Sequence, residues 1–250
     1  MGRALVEHHV DVATDDGTMG TYVVRPADHG PHPVVLFLMD APGKRELLHS
    51  MARRLAAAGY CVMLPNLYYR DTDAFELDFS SKESFAQMSE LMRGVGNRMV
   101  GRDAGALLAY AQADGDADAE RVGVVGYCMS GPFAVWVAAE HADRVRAAAS
   151  FYGVRLHLDS TDSPHRRLGE ITGELYVAAA EHDEYVPLDM IDRFEAALQA
   201  SGTRGRVERY WGLHHGFAFD DRPAHDTVGE ARHWDRLFDL FDRNLHPVTS

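Results

Sequence analysis

The segment Arg121–Gly131 constrains the fold of this chain more than any other part of its sequence. A short apolar, β-branched run leads straight into Gly126-Tyr-Cys128, and a helix of small residues is predicted directly after it. This is the strand–turn–helix context of a nucleophile elbow, with sulfur where serine is more usual. The sharp turn needs small residues two positions before and after the nucleophile. Gly126 meets that requirement, whereas Ser130 meets it only in part, with Gly131 placed to relieve the crowding.

Composition excludes several classes of function. The net charge of −13 argues against a nucleic-acid partner and against docking on anionic membranes, because both need clustered Lys and Arg. No apolar stretch reaches the ~18 residues of a membrane span, and the first residues do not have the pattern of a signal peptide. The two cysteines exclude a disulfide scaffold. A free cysteine in a functional position indicates a reducing, cytoplasmic setting.

Strand and helix patterns alternate along the 250 residues. Strands are predicted at 5–13, 20–25, 33–39, 60–64, 121–126, 147–152, 174–180 and 207–211, and helices at 45–58, 81–93, 97–113, 130–140, 188–200 and 226–244. This alternation predicts an α/β fold, with a mostly parallel sheet of about eight strands and helices on both faces. The first two strands alternate apolar and polar residues and are expected to pair antiparallel at the sheet edge. We predict a single domain over 1–250, in which residues 66–95 form an excursion over the site.

Side chains that can act as a nucleophile, an acid or a base follow three of these strands, at the sheet edge where such folds place their active sites. They are Cys128 after strand 121–126, Glu181, Asp183 and Glu184 after strand 174–180, and His214 and His215 after strand 207–211. Nucleophile, acid and histidine thus occur in the chain order of α/β-hydrolases. Spacing alone does not decide which of the two histidines is the base, and it does not decide which of the three acids is its partner.

The chemistry of such a triad assigns each group a role. A free thiol, with a pKa near 8.5, is mostly protonated at neutral pH, and a helix N-terminus and a histidine both favour the thiolate. The histidine takes the proton and returns it to the leaving group, while the acid orients the imidazole. The backbone N–H of Met129 is expected to donate to the oxyanion, with a second donor from the N–H of Ala41.

Four motifs make the chain resemble the dienelactone hydrolase family. They are Gly126-Tyr-Cys128-Met-Ser-Gly131, Asp183-Glu-Tyr-Val-Pro187, His215-Gly-Phe217 and Pro65-Asn-Leu-Tyr68, and the resemblance covers essentially the whole chain in order and spacing. The resemblance implies an α/β-hydrolase fold and hydrolysis of small esters or lactones through an acyl-enzyme. It also implies that Cys128 is the nucleophile, Asp183 the acid and His215 the base.

Three positions depart from the family's pattern. Ser130 stands where the elbow usually has glycine. Asp40 stands where the family usually has a glutamate that interacts with the resting nucleophile, which makes Asp40 a candidate for gating Cys128. Phe219 stands where dienelactone-cleaving members have an arginine for the substrate carboxylate. The last change favours an ester or lactone that is less charged and more hydrophobic than dienelactone.

Further candidates are weaker. Tyr68, Tyr69, Arg70 and Phe219 are candidate substrate-binding residues, although a surface aromatic patch explains the first three equally well. Cys61 reads as a small core residue in a buried strand. The fourteen histidines lack the helical spacings of metal sites, so we expect no metal and no cofactor.

A second class of function stays open beside the hydrolase. Ser130 and Asp40 both alter the surroundings of Cys128, so the chain could instead bind a small molecule or sense oxidants through its thiol without turnover. A serine hydrolase is disfavoured because Cys128 and Pro132 flank Ser130 where glycines are needed. The expected partner is a small-molecule ester or lactone, and the protein is expected to be a monomer or a homodimer.

Overall fold

The computed structural model describes residues 3–246 and contains one sheet of eight strands and six α-helices in this range. The strands are β1 (Leu5–Thr14), β2 (Gly17–Pro26), β3 (His32–Leu38), β4 (Cys61–Pro65), β5 (Ala117–Tyr127), β6 (Val145–Phe151), β7 (Glu174–His182) and β8 (Gly205–His214). The helices are α1 (Glu46–Ala57), α2 (Lys82–Arg93), α3 (Asn97–Ala113), α4 (Gly131–Glu140), α5 (Leu188–Ser201) and α6 (Thr227–Leu245).

The strand order in the sheet is β1-β2-β4-β3-β5-β6-β7-β8. β1 pairs antiparallel with β2, and β2 pairs antiparallel with β4, whereas every other neighbouring pair is parallel. The predicted α/β fold with a mostly parallel sheet of about eight strands is therefore confirmed, as is the antiparallel pair at its edge. The single domain over 1–250 stays a prediction, and residues 1–2 and 247–250 lie outside the described residues.

Burial explains why these segments form the centre of the sheet. All residues of β3 and β4 are buried, as expected for continuous apolar strands covered on both faces. Helix α4 is buried along all but its last residue, so it lies in the core rather than on the surface. Helices α1 and α6 contact each other through Arg54 and Trp234, where the guanidinium carbon lies 4.3 Å from the centre of the indole ring. Because β3, β5, β6, β7 and β8 run parallel, their carboxyl ends lie at one edge of the sheet. None of the helices within residues 3–246 is long and apolar enough to cross a membrane.

Candidate active site

Cys128 stands on a strained turn between β5 and α4. Its φ of 52° is in the left-handed region that residues with a side chain rarely adopt. A Cβ atom at Gly126 would be 2.2 Å from the carbonyl oxygen of Ser130, and one at Gly131 would be 2.4 Å from the Cα of Gly153. Both glycines are therefore required by close backbone approach, and for Gly126 this agrees with the small residue that the elbow motif needs.

Ser130 holds this turn in place instead of crowding it. Its side chain is fully buried, and its Oγ accepts a hydrogen bond of 2.8 Å from the N–H of Tyr127. The same hydroxyl lies 3.0 Å from the carbonyl oxygen of Leu38, at the end of β3. Serine thus links the elbow to the strand that precedes Asp40 and Ala41. A glycine could not make this link, so the departure at position 130 has a structural function.

The structure pairs Asp183 with His215 across the ends of β7 and β8. The Nδ1 of His215 and the Oδ2 of Asp183 are 2.7 Å apart, and the Asp183 side chain is only 1% exposed. Glu181 instead accepts a hydrogen bond of 2.6 Å from the N–H of Gly212. His214 is exposed, with its ring against His182. Of the candidates that spacing left open, Asp183 and His215 are the ones brought together.

The protonation of His215 depends on both neighbours. Burial acts to lower the pKa of His215, but hydrogen bonds with Asp183 and with Cys128 outweigh it and raise the pKa to about 9. An imidazole with this pKa keeps its proton at neutral pH. Cys128 and the hydrogen-bonded pair of Asp183 and His215 therefore lie together at the elbow.

The loop after β3 brings a second backbone segment to the cavity beside Cys128. Ala41 lines the same cavity as Cys128. Its carbonyl oxygen accepts a hydrogen bond of 2.8 Å from the hydroxyl of Tyr68, which is fully buried behind the loop. Tyr68 does not line the cavity, so it contributes by holding the Ala41 peptide rather than by lining a pocket for substrate.

Asp40 lies in a buried ionic network. Its carboxylate accepts hydrogen bonds from Arg45 at 2.6 Å and from Arg222 at 2.8 Å, and Arg45 also donates to Asp221 at 2.5 Å. Burial acts against the charge of Arg45, but the two aspartates raise its pKa, so this guanidinium stays charged. Within residues 3–246 the Asp40 carboxylate has no hydrogen bond to Cys128, and its partners are the two arginines.

A mostly apolar cavity of about 330 Å³ opens above Cys128 and His215. This volume is at the small end of the ~300–1,000 Å³ typical of ligand pockets. Its apolar lining includes Leu77, Phe85, Met88, Met92, Val154, Tyr185 and Phe219. Four of these residues come from the segment 66–95, whose role as an excursion over the site stays a prediction. The polar groups of the lining are few, and they include the Asp40–Arg222 ion pair.

Besides Tyr68, two further predicted substrate-binding residues do not line this cavity. The hydroxyl of Tyr69 donates to Asp103 at 2.9 Å, and Arg70 forms ion pairs with Asp103 and Asp16. Both side chains are used in a structural network beside α3. Cys61 is 2% exposed in β4, and burial raises the pKa of its thiol to about 12, which agrees with an unreactive core role.

Two polar residues of the lining, Arg222 and Tyr152, were not singled out from the sequence. Arg222 provides a guanidinium at the cavity wall although Phe219 fills the position where an arginine was sought. Tyr152, with a φ of 40°, is buried against His215 at a ring distance of 5.0 Å, and its hydroxyl has no hydrogen-bond partner within the described part of the chain. A local signal existed only for Tyr152, which follows strand β6 at the functional edge of the sheet.

Comparison with known proteins shows the family of this chain. A model of the dienelactone hydrolase family matches residues 19–245. The chain belongs to the dienelactone hydrolase family. A Methylorubrum extorquens protein named "Putative carboxymethylenebutenolidase" is 30% identical over 244 residues, which cover 96% of this chain and 81% of that protein. A Bradyrhizobium protein named "Probable 2-oxo-3-(5-oxofuran-2-ylidene)propanoate lactonase" is 24% identical over 90% of this chain and 89% of its own.

Solved structures show that the fold is shared as well. The crystal structure of a "Putative Dienelactone Hydrolase" from Klebsiella pneumoniae superposes with a TM-score of 0.86 at 24% identity, covering 96% of this chain and 99% of that chain. An acylaminoacyl peptidase from Pyrococcus horikoshii has a TM-score of 0.72 at 15% identity, covering 99% of this chain and 43% of that chain. The α/β-hydrolase fold implied by the sequence motifs is confirmed.

Proposed function

We propose that this protein hydrolyses small carboxylic esters or lactones through an acyl-enzyme on Cys128. The observation that carries the proposal is the 2.7 Å contact of Asp183 with His215, whose ring lines the same cavity as the elbow cysteine. Membership of the dienelactone hydrolase family supports hydrolysis of an ester or lactone bond. The free cysteines support a reducing compartment, and we place the protein in the cytoplasm.

The proposed reaction has two half-reactions. The thiolate of Cys128 attacks the carbonyl carbon, and the N–H groups of Met129 and Ala41 stabilise the oxyanion that forms. The carbon–oxygen bond to the leaving group then breaks, and the imidazolium of His215 gives that oxygen its proton. Neutral His215 next takes a proton from water, which attacks the thioester. The carbon–sulfur bond breaks, which releases the acid and restores the thiolate.

The cavity supports a neutral, largely apolar substrate. Its lining is mostly hydrocarbon, and the guanidinium of Arg222 is already neutralised by Asp40. A substrate carboxylate would have to compete with that buried aspartate for the cation. We therefore propose a less charged ester or lactone rather than dienelactone. Asp40 remains our candidate for gating the nucleophile, and its contacts indicate that any gating involves Arg222.

Activity on a panel of esters and lactones tests the proposal. We expect the wild-type protein to turn over p-nitrophenyl acetate and neutral lactones, and Cys128→Ser to be strongly impaired on every substrate that the wild type cleaves. The alternative is a thiol sensor that works without turnover. Reversible sulfenic acid formation on Cys128, in a protein that cleaves no member of the panel, would establish that alternative and exclude the hydrolase.

The raised pKa of His215 predicts a dependence on pH that differs between leaving groups. Acylation by an alkyl ester needs protonated His215, so its kcat/KM should fall as the pH rises through about 9. The p-nitrophenolate group leaves without a proton, so kcat/KM for a p-nitrophenyl ester should decline less. The measurement is kcat/KM from pH 6 to 10 for both ester types. Identical profiles for the two leaving groups would show that His215 is not the proton donor.

A further inference from the structure

A second cavity, of about 260 Å³, adjoins the first and is not used by the mechanism above. The two cavities share Met92 and Val154, which together form the partition between them. Met92 is an unbranched thioether with three rotatable bonds, and it comes from the last turn of α2. A side chain of this kind can move aside without a backbone change, so the partition can open to a ligand.

The second cavity begins beside the nucleophile. The N–H of Val154 donates a hydrogen bond of 3.1 Å to the carbonyl oxygen of Cys128, which ties the partition to the elbow. Met129, whose N–H is the proposed oxyanion donor, also lines the second cavity. Because the residue next to Cys128 lines the second cavity, a group attached to the reacting carbonyl carbon can extend into it.

The position of the histidine decides which half of the substrate would enter. The leaving group must receive its proton from His215, and His215 lines only the first cavity. No residue of the Asp183 or His215 loops lines the second cavity, whose wall comes from Met129 and from residues 92–97, 132–133, 154–158 and 162–163. The acyl group stays on Cys128, so it is the part of the substrate that would extend toward the second cavity.

The chemistry of the second cavity indicates how the acyl group ends. Its apolar lining residues include Val95, Phe133 and Leu158. Two polar groups line it as well. The Oδ1 atom of Asn97 is buried without a hydrogen-bond partner within residues 3–246, and the guanidinium of Arg155, an exposed residue, makes no ion pair or hydrogen bond to the protein there. A hydroxyl is suited to both, because it can donate to the amide oxygen and accept from the guanidinium.

We propose that the second cavity is an acyl-binding site for a medium-length aliphatic chain that ends in a hydroxyl group. The proposal rests on the acyl-enzyme function proposed above and specifies its substrate class. It assigns specificity to Leu158, Asn97 and Arg155, which lie away from the reacting atoms. Short acyl groups occupy only the first cavity and do not depend on these residues.

The test compares chain lengths in a variant that fills the second cavity. Leu158→Trp places a large ring at a side chain that is 41% exposed, so the core is not disturbed. We expect kcat/KM for p-nitrophenyl octanoate to fall at least ten-fold, because several methylenes lose their burial, while p-nitrophenyl acetate changes less than two-fold. Leu188→Trp is the matched control, with 44% exposure at the start of α5, and should alter neither substrate.

Turnover of acetate by the wild type reports on the proposed function, and the octanoate-to-acetate ratio reports on the acyl site. An octanoate-to-acetate ratio that is unchanged in Leu158→Trp, whether or not both activities fall, would overturn the acyl site and leave the hydrolase intact. A second variant tests the polar end. Arg155→Met should lower kcat/KM for p-nitrophenyl 8-hydroxyoctanoate relative to octanoate, and an unchanged preference between these two esters would overturn the role of the hydroxyl.

Discussion

Replacing Cys128 with alanine is expected to lower kcat/KM for p-nitrophenyl acetate by about 10⁴-fold or more, the scale of losses when a catalytic nucleophile is removed. In the proposed mechanism this side chain forms the acyl intermediate, whereas the hydroxyl of Ser130 in the same turn is fully buried. The turn itself should persist, because the φ of 52° is imposed by the close packing around Gly126 and Gly131. Activity is measured beside circular dichroism, so that loss of fold is detected separately.

The chain offers a matched control for this substitution. Cys61→Ala makes the same change at the other cysteine, which is buried in β4 and has a thiol pKa of about 12. We expect this variant to keep kcat/KM within about two-fold when assayed well below its unfolding temperature, at a stability cost of about 1 kcal/mol for the lost sulfur. Comparable activity in Cys128→Ala and Cys61→Ala would contradict a nucleophilic role for Cys128.

Replacing Asp183 with asparagine is expected to lower kcat by about 10³- to 10⁴-fold. The carboxylate accepts from the Nδ1–H of His215 at 2.7 Å and stabilises the imidazolium. An amide that turns its NH₂ group toward the ring would favour the tautomer whose Nε2 carries the proton, and this tautomer cannot accept one. The loss of the carboxylate also removes one of the groups that raise the pKa of His215.

The pH profile separates a role in catalysis from a purely structural role for Asp183. If the carboxylate orients His215 and raises its pKa, the alkaline limb seen with alkyl esters should move to lower pH in Asp183→Asn, and the rate should fall. A purely structural role would lower the rate without moving the limb. Glu181→Gln is the matched control, because Glu181 follows the same strand and binds the N–H of Gly212 instead of the histidine. We expect its rate and its pH profile to stay close to those of the wild type. Equal losses in both variants would contradict the assignment of Asp183.

Local patterns were sufficient to predict the elements of the fold. The apolar run 33–39 appears as the fully buried β3, and the segment 97–113 appears as α3 with the same limits. These predictions succeed because strand and helix periodicity is a property of neighbouring residues. The elbow was predictable for the same reason, since the glycine at position 126 and the cysteine two residues later lie on one turn.

Contacts between distant parts of the chain were not predictable in this way. Asp40 is bound by Arg222, which is 182 positions away, and only the fold brings them together. Tyr69 and Arg70 follow β4 at the functional edge, but Asp103 on α3 draws both side chains to another surface. Ser130 looked like an imperfect glycine because its bond to Leu38, in another strand, is invisible in the sequence.

The acyl-enzyme is the central claim, and mass spectrometry of the protein after rapid acid quench during turnover of p-nitrophenyl acetate tests it most directly. The sequence places Cys128 in the tryptic peptide 122–144, apart from Cys61. We predict one acetyl group per chain on this peptide, formed with a burst of one p-nitrophenol per enzyme and lost as turnover ends. Full turnover with peptide 122–144 unmodified, or an acetyl group on another residue that turns over at the rate of catalysis, would contradict the account.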